Sequence, residues 1–353
     1  MVAAGTYVGL RSGGAGHPSG PTPSTTRAPT SRRLSAKVRP PRHGDIYWGA
    51  FNPAVPFTPG GLAALERQAG RRPAISMWYE AWAGGQGFPA TEAARLLRAG
   101  VVPMITWEAW RPPRVFGTLV VDQPRYRLAR IAAGAFDSFL WRYAAEVRRF
   151  GGPVMLRPFH EMDGFWYPWS GTANGNSAHS FVAAWRHVHD VFAKAGATNV
   201  TWVWSINALS VPNRPGNLPA DYWPGARYVD WIGISGFNWG TSTSYGAWDS
   251  FDKIYHDRIA SLLRYDKPIA LTEIAAAEVG GDKASWIAQT FARLASYPTI
   301  GAVVWYDKRD SRLRDWRVES SLGARSAFGR AVAGPHVLSA PAALRAARPR
   351  RSS

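Results

Sequence analysis

Eight short apolar runs, separated by longer segments of helical pattern, constrain the fold of this chain more than any other feature. The runs are 46–51, 74–78, 101–107, 153–159, 200–206, 229–237, 268–272 and 300–305. Several are apolar throughout, which is typical of strands buried on both faces of a parallel sheet. The helical patterns between them are 59–68, 91–98, 134–149, 177–195, 250–264 and 283–296. Eight βα units over roughly 290 residues predict a single (β/α)8 TIM barrel, with a doubly wound sheet as the alternative.

The two ends of the chain differ in composition from this body. Residues 1–43 hold seven Arg or Lys and no acid, are rich in Gly, Pro, Ser and Thr, and show no hydrophobic period. Residues 336–353 hold four Arg and no acid, so the ends contribute eleven of the net charge of +18. We expect both ends to be disordered and residues 44–335 to form one folded domain. Basic tails suit nucleic acid or an anionic surface, but simple solvation explains them as well.

Composition and missing motifs exclude several classes of protein. The chain has no cysteine, which excludes disulfides, thiolate zinc sites and cysteine nucleophiles. It has no run of 18 apolar residues, so we expect no membrane span, and residues 1–43 lack the apolar core of a secretory signal. No phosphate-binding P-loop or serine nucleophile elbow is present, and the His160-Glu161 pair is not part of an H-E-x-x-H zinc motif.

Carboxyl, amide and aromatic side chains follow the apolar runs, where a barrel places its active site. They are Glu108, His160, Glu161, Asn207, Asn238, Glu273, Trp305, Tyr306 and Asp307. The chain also holds 18 Trp, whose large flat faces suit the apolar side of a sugar ring. Carboxyl pairs at strand ends in a tryptophan-rich channel are typical of glycoside cleavage, although a single Glu at a strand end is as often the partner of a structural ion pair.

Two motifs resemble those of a known family. Residues 157–171 read RPFHEMDGFWYPWSG and resemble the acid/base motif of glycoside hydrolase family 26, which is close to RPxHEMNGxWxxW. Residues 269–275, IALTEIA, resemble that family's nucleophile strand. The resemblance spans about residues 44–320 and implies a retaining endo-β-glycan hydrolase that needs no cofactor and no metal.

The resemblance also implies roles for individual residues. Glu161 matches the general acid/base and Glu273 the nucleophile. His160 matches a histidine that binds the reacting sugar, while Trp166 and Trp305 match aromatic residues that contact substrate.

Further residues are candidates for supporting or binding roles. Arg157 is either an electrostatic support for the two carboxylates or a plain structural ion pair. We expect Trp107 and Asn238 to contribute to the substrate site, and Glu108 either to bind a sugar hydroxyl or to pair with Arg111 or Arg114. Other tryptophans at or just past strand ends, and therefore candidates for stacking on sugar rings, are Trp78, Trp110 and Trp239.

Two positions depart from the family pattern. Asp163 stands where the family motif usually has Asn, and its carboxyl either alters the pKa of Glu161 or caps the loop. Phe237 stands where the family tends to place a tyrosine that hydrogen-bonds the nucleophile. Either Asn238 or another group therefore supplies that bond, or the nucleophile is tuned differently.

The resulting hypothesis is an endo-acting hydrolase of β-1,4-mannan or of mixed-linkage β-glucan, with the polysaccharide as its partner and no obligate protein partner. Such substrates lie outside cells, which predicts a secreted or cell-envelope protein. A non-catalytic carbohydrate-binding barrel is the first alternative. A nucleic-acid or anionic-surface binder that acts through the basic tails is the second.

Overall fold

The structure, a computed structural model, describes residues 37–114 and 118–340 and is built on a closed barrel of eight parallel strands. Each strand pairs in parallel with the next one along the chain, and β8 pairs with β1 to close the barrel. The strands are β1 Ile46–Phe51, β2 Ile75–Ala81, β3 Val102–Glu108, β4 Val154–Pro158, β5 Val200–Asn207, β6 Trp231–Asn238, β7 Ile269–Ala276 and β8 Ile300–Tyr306. The prediction of a (β/α)8 barrel is therefore confirmed.

Helices alternate with these strands and cover the outside of the barrel. They are α1 Gly61–Ala69, α2 Ala90–Arg98, α3 Leu128–Ala132, α4 Asp137–Phe150, α5 Ala178–Lys194, α6 Phe251–Leu262, α7 Lys283–Leu294 and α8 Leu322–Val332. Four of them begin after a residue whose side chain accepts a bond from a backbone N–H of the first turn, namely Ser177, Ser250, Asp282 and Ser321. These caps satisfy donors that a helix start leaves unpaired. In the described ranges, no helix is long and apolar enough to cross a membrane.

The described parts of the two ends pack against the barrel at the start of its strands. Val38 donates its backbone N–H to Thr201 Oγ1 (2.7 Å) and accepts a bond from Trp231 Nε1 (2.9 Å). At the other end, the short strand β9, Val337–Leu338, pairs in parallel with β1. Val38 and Val337, which lie just outside residues 44–335, bury their apolar side chains. Residues 1–36 and 341–353, where the predicted disorder mainly falls, lie outside the described residues.

Strand alternation decides which side chains enter the barrel. Arg157 on β4 donates to Thr106 Oγ1 on β3 (3.0 Å) and to Ser235 Oγ on β6 (2.8 Å), so all three side chains point inward. Successive residues of a strand point to opposite faces. Trp107, which follows Thr106, therefore faces the helix layer, and Trp305 on β8 also does, since it packs on Phe328 of α8.

Candidate active site

A tight turn beyond β4 presents Glu161. Phe159 and Glu161 both have positive φ, 50° and 56°, a left-handed conformation that few residues other than glycine adopt. The backbone N–H of Glu161 donates to the Ser205 carbonyl on β5 (2.9 Å), and Trp166 Nε1 donates to Glu161 Oε2 (2.9 Å). Strained backbone of this kind persists where surrounding contacts hold it, and it is common at functional sites.

Asp163 holds this turn in place and does not face Glu161. Its Oδ1 accepts from the backbone N–H and the Nδ2 of Asn207 (2.9 and 2.8 Å), and its Oδ2 accepts from Ser210 Oγ (2.8 Å). The Arg258 guanidinium lies 3.8 Å from Oδ2. Of the two expectations for Asp163, the structure favours the cap of the loop.

Glu273 lies within β7 and is fully buried against a buried cation. Arg157 Nη1 is 2.6 Å from Glu273 Oε1, and neither side chain is exposed to solvent. Isolated buried charges are costly, whereas a close pair with further hydrogen bonds is tolerated. Arg157 meets this condition through Thr106 and Ser235, so it holds Glu273 as an anion inside the barrel.

The two glutamates have unlike electrostatic surroundings. The pKa of Glu161 is raised to about 8, first by burial and then by the negative charge of Glu273, while Arg157 and the bond from Trp166 act against this rise. Burial also raises the pKa of Glu273, but Arg157 opposes it both by its charge and by its hydrogen bond. A carboxyl pair of this kind shares its protons unequally. Burial thus favours the protonated form of Glu161, whereas the ion pair with Arg157 favours the ionised form of Glu273.

Two further titratable groups line the same space. His160 is fully buried, its Nε2 lies 3.0 Å from the Tyr167 hydroxyl, and its Nδ1 has no partner. Burial, followed by the charge of Arg157, lowers the pKa of His160 well below its usual value, so the ring is neutral. Glu108 accepts a bond from Trp110 Nε1 (3.2 Å), and burial raises its pKa to about 8. The expected ion pair of Glu108 with Arg111 or Arg114 is absent from the described residues.

His160, Glu161 and Glu273 are close enough to share a ligand, since one potential ligand atom of each lies within 4.8 Å of the others. The same three residue types can bind a metal ion. However, Arg157 already bonds Glu273, and its positive charge would repel a cation at that position. The arrangement fits an uncharged ligand better than a metal.

Three residues predicted for the substrate site lie elsewhere. Trp107 is buried in the helix layer against Tyr143 of α4 (ring centroids 4.6 Å apart). Trp305 is also fully buried, packs on Phe328 of α8, and donates its Nε1 to the Trp316 carbonyl.

Asn238 is the third of these residues. Its Oδ1 accepts from the backbone N–H groups of Gly240 and Asp249, so it shapes the loop before α6. The side chains of Trp107, Trp305 and Asn238 thus all point away from the inside of the barrel. By contrast, Trp166 is half-buried beside Glu161, as expected. Of the other tryptophan candidates, Trp110 supports Glu108, Trp78 is buried beside Phe57, and Trp239 is half-buried beside Phe237.

The structure adds four residues to the site that were not predicted there. They are Tyr79 on β2, Ser235 on β6, and Tyr167 and Trp169 of the loop beyond β4. Tyr306 on β8, which was predicted at a strand end, lies near the same residues. Tyr167 and Trp169 stack on each other (ring centroids 4.4 Å, 12° between planes), and Trp169 Nε1 donates to the His160 carbonyl. Tyr79 aligns with Thr106 and Arg157 through the register of neighbouring strands, which the sequence does not give.

The fold and site define a (β/α)8 barrel that carries two buried carboxyl groups, one just beyond the end of β4 and one within β7. The family model described as glycosyl hydrolase family 26 matches residues 136–298, which include both carboxyl groups and Arg157. The part of the chain that carries the site thus matches glycoside hydrolase family 26.

Known relatives agree with this assignment. The chain is 33% identical over 275 residues to "Endoglucanase H" of Acetivibrio thermocellus, covering 77% of this chain and 29% of that protein. It is 25% identical over 189 residues to "Mannan endo-1,4-beta-mannosidase A and B" of Caldalkalibacillus mannanilyticus, covering 52% and 32%. The chain thus spans about a third of the length of these relatives. A solved GH26 beta-mannanase from Bacteroides ovatus is 19% identical, with a TM-score of 0.62 over 84% of this chain and 90% of its own, a likeness of fold.

Proposed function

We propose that this chain is a retaining endo-β-glycan hydrolase. The observation that carries the proposal is the pair formed by Glu161 and Glu273, whose carboxylate oxygens approach within 4.8 Å. Retaining glycosidases hold their two carboxyl groups roughly 5–5.5 Å apart, whereas inverting enzymes leave room for a water molecule between them. The unequal protonation of the pair supports the same mechanism, since one member must donate a proton and the other must attack.

In the first step, a carboxylate oxygen of Glu273 forms a bond to the anomeric carbon while the bond from that carbon to the leaving oxygen breaks. Glu161 gives its proton to the leaving oxygen, which departs as a hydroxyl of the second product. In the second step, Glu161 takes a proton from water, and the resulting oxygen nucleophile displaces Glu273 from the sugar. No metal or cofactor takes part in this balance.

Three neighbouring residues bind or position the sugar in this proposal. The neutral His160 offers Nδ1 to a sugar hydroxyl, because the Tyr167 hydroxyl engages Nε2. Glu108 Oε1 is buried without a partner and can accept or, when protonated, donate a hydroxyl bond. Trp166 supplies an aromatic surface beside the acid, and Arg157 supports the nucleophile.

For the substrate we favour a β-glucan over β-1,4-mannan. The relative named as an endoglucanase matches 77% of this chain at 33% identity, while the relative named as a mannan endo-1,4-beta-mannosidase matches 52% at 25%. Mannan remains the second candidate, because the solved relative from Bacteroides ovatus is a β-mannanase. The sugars differ in the configuration at C2, which one or two side chains can distinguish.

The remaining parts of the hypothesis concern the whole chain. We propose residues 44–335 as the catalytic domain, with basic tails on both sides. Because polymeric substrates lie outside cells, we propose a secreted or cell-envelope location. A polysaccharide is the partner that the site supports. A non-catalytic carbohydrate-binding barrel is disfavoured, since binding alone does not require an ionised and a protonated carboxyl held together.

The test is the release of reducing sugar from barley β-glucan, glucomannan, galactomannan and xylan. We expect release from β-glucan, and a loss of at least about 10⁴-fold in both Glu161→Ala and Glu273→Ala. With an aryl glycoside whose leaving group needs no proton, Glu161→Ala should recover its first step, whereas Glu273→Ala should not. Binding of a polymer without release would favour the binding module instead.

A matched control for these variants is Glu66→Ala, which removes a surface carboxyl paired with Arg72. We expect this variant to keep the activity of the unmodified chain. The reaction products identify the stereochemistry, because retention at the anomeric carbon is the outcome that the carboxyl separation predicts.

A further inference from the structure

The buried polar atoms of the site that have no hydrogen-bond partner include the Tyr79 hydroxyl and Glu273 Oε2. The other carboxylate oxygen of Glu273, Oε1, is the one that Arg157 bonds at 2.6 Å. Buried polar atoms without partners are uncommon in folded proteins, and each calls for an explanation. Here the Tyr79 hydroxyl is a donor without an acceptor, and Glu273 Oε2 is an acceptor without a donor.

The chain fixes the ring of Tyr79 firmly. In the sheet, Tyr79 on β2 is paired with Thr106 on β3, and Thr106 Oγ1 accepts a bond from the same Arg157 nitrogen that bonds Glu273. The ring packs edge-on against Phe51 (centroids 4.9 Å apart) and against His160 (5.8 Å). Tyr79 therefore lies at the level of Arg157, and its hydroxyl is near enough to Glu273 to lower the pKa of that carboxyl.

Three other residues considered for this bond lack a hydroxyl or are directed elsewhere. Phe237 faces the barrel and packs on Tyr306, but it has no hydroxyl. The Asn238 side chain is turned toward the backbone of the loop before α6. The Tyr306 hydroxyl is directed at Asp310 (3.4 Å).

We propose that Tyr79 is a positioning residue for the nucleophile, and that its hydroxyl donates a hydrogen bond to Glu273 Oε2. This bond orients the carboxylate and stabilises its charge from the side opposite Arg157. Tyr79 on β2 thereby supplies the hydroxyl that Phe237 on β6 cannot. The catalytic consequence rests on the proposed function, whereas the bond itself does not.

Several charged and titratable groups face Glu273 and enter any pH measurement on it. The charged or acidic groups are Arg157, Glu161, Glu108 and Asp310. The phenols are Tyr79, Tyr167, Tyr255 and Tyr306. All of these except Tyr79 are unchanged in the variant described next, so a difference from the unmodified chain reports the Tyr79 hydroxyl.

The test is Tyr79→Phe, which removes the hydroxyl and keeps the packed ring. Glu273 must be ionised to attack, and loss of a donor makes ionisation harder, so its pKa should rise. We expect the acid limb of the pH profile of kcat/KM to move up by about one pH unit. We also expect kcat to fall about tenfold, with KM within about twofold. A purely structural role would not move the acid limb.

Tyr143→Phe is the matched control. Tyr143 is also fully buried with an unpartnered hydroxyl, but it lies in the helix layer against Trp107. Its removal should leave both the acid limb and kcat unchanged.

A second readout does not depend on any substrate. In protein labelled with ¹³C at the glutamate carboxyl carbon, Glu273→Gln identifies the Glu273 signal, and Tyr79→Phe should move its titration to higher pH by about one unit. If the unmodified chain hydrolyses no polysaccharide, the proposed function fails, and this titration alone decides the role of Tyr79. A Glu273 titration that is the same in Tyr79→Phe and in the unmodified chain overturns the inference.

Discussion

Glu161 sits on a strained turn beyond the end of β4, whereas Glu273 is part of β7 itself. The turn places Glu161 beside the half-buried Trp166, with one neutral donor on its carboxylate. The strand places Glu273 against a buried guanidinium. The same residue type therefore has two different surroundings, because only Glu273 has a full positive charge within 3 Å, which favours its ionised form.

Removal of Arg157 should have the largest effect on the electrostatic difference between Glu161 and Glu273. In Arg157→Met, Glu273 loses its ion pair, so its pKa rises, the acid limb moves to higher pH, and activity falls by about 100-fold or more. Breaking a buried pair from one side costs about 3 kcal/mol, to be read from urea unfolding. A Glu273 whose pKa is raised in the folded state disfavours folding once the pH is high enough to ionise it. The loss of unfolding free energy should therefore grow as the pH rises.

Two further variants control the Arg157 measurement. Arg72→Met breaks a partly exposed pair with Glu66 and should cost less than about 1 kcal/mol. Addition of Glu273→Gln to Arg157→Met removes the orphaned charge and should restore part of the stability at pH 8. If Arg157→Met keeps the stability and the pH profile of the unmodified chain, the electrostatic distinction between the two strand ends is wrong.

The neutral donor on Glu161 should have a smaller effect. In Trp166→Phe, Glu161 Oε2 loses its bond from the indole, a bond that lowers the pKa of Glu161. The basic limb, near pH 8 in the unmodified chain, should therefore move to higher pH, since Glu161 stays protonated longer. We expect kcat to fall about tenfold, because the ionised acid of the second step also loses a donor.

Trp305→Phe is the matched control for this measurement. Trp305 is fully buried and donates to a backbone carbonyl, so its replacement should lower the free energy of unfolding by about 1–2 kcal/mol and leave the pH limbs in place. A basic limb that moves in Trp305→Phe and not in Trp166→Phe would contradict the assignment of Trp166 to the site.

The order of the strands and the acidic motif could be predicted from the sequence, but the facing of individual side chains could not. Eight apolar runs separated by helical patterns indicate a barrel, because strands that are buried on both faces are apolar along their whole length. Strand ends, however, were located to within a residue or two, and a shift of one residue exchanges the inner and outer faces. Trp107, Asn238 and Trp305 were predicted at the substrate site from their position at a strand end, and each is one residue out of phase with an inward neighbour.

The residues that face the inside of the barrel are the immediate neighbours of these three in the sequence. Thr106 and Glu108 flank Trp107, Phe237 precedes Asn238, and Tyr306 follows Trp305. Arg157 could be predicted as a support only through the family resemblance, because its partner Glu273 is 116 residues away. Contacts of that range depend on barrel closure, which no local pattern encodes.

The smallest expected effect concerns the anchor of the Glu161 turn, which a strand residue such as Glu273 does not need. Asp163→Asn keeps an oxygen for the two bonds from Asn207, and the Ser210 hydroxyl can turn to accept from the new amide. We expect a loss of about 2 kcal/mol in unfolding free energy, because the buried Arg258 guanidinium also loses its anionic neighbour, and kcat/KM within about threefold of the unmodified chain. Asp163→Ala, which orphans the buried donors, should lose about 3 kcal/mol. Because Asp163 faces away from Glu161, neither variant should move the basic limb near pH 8. A shifted limb in Asp163→Asn would mean that this carboxyl tunes the acid through its charge, and the two strand ends would then differ by two charged neighbours instead of one.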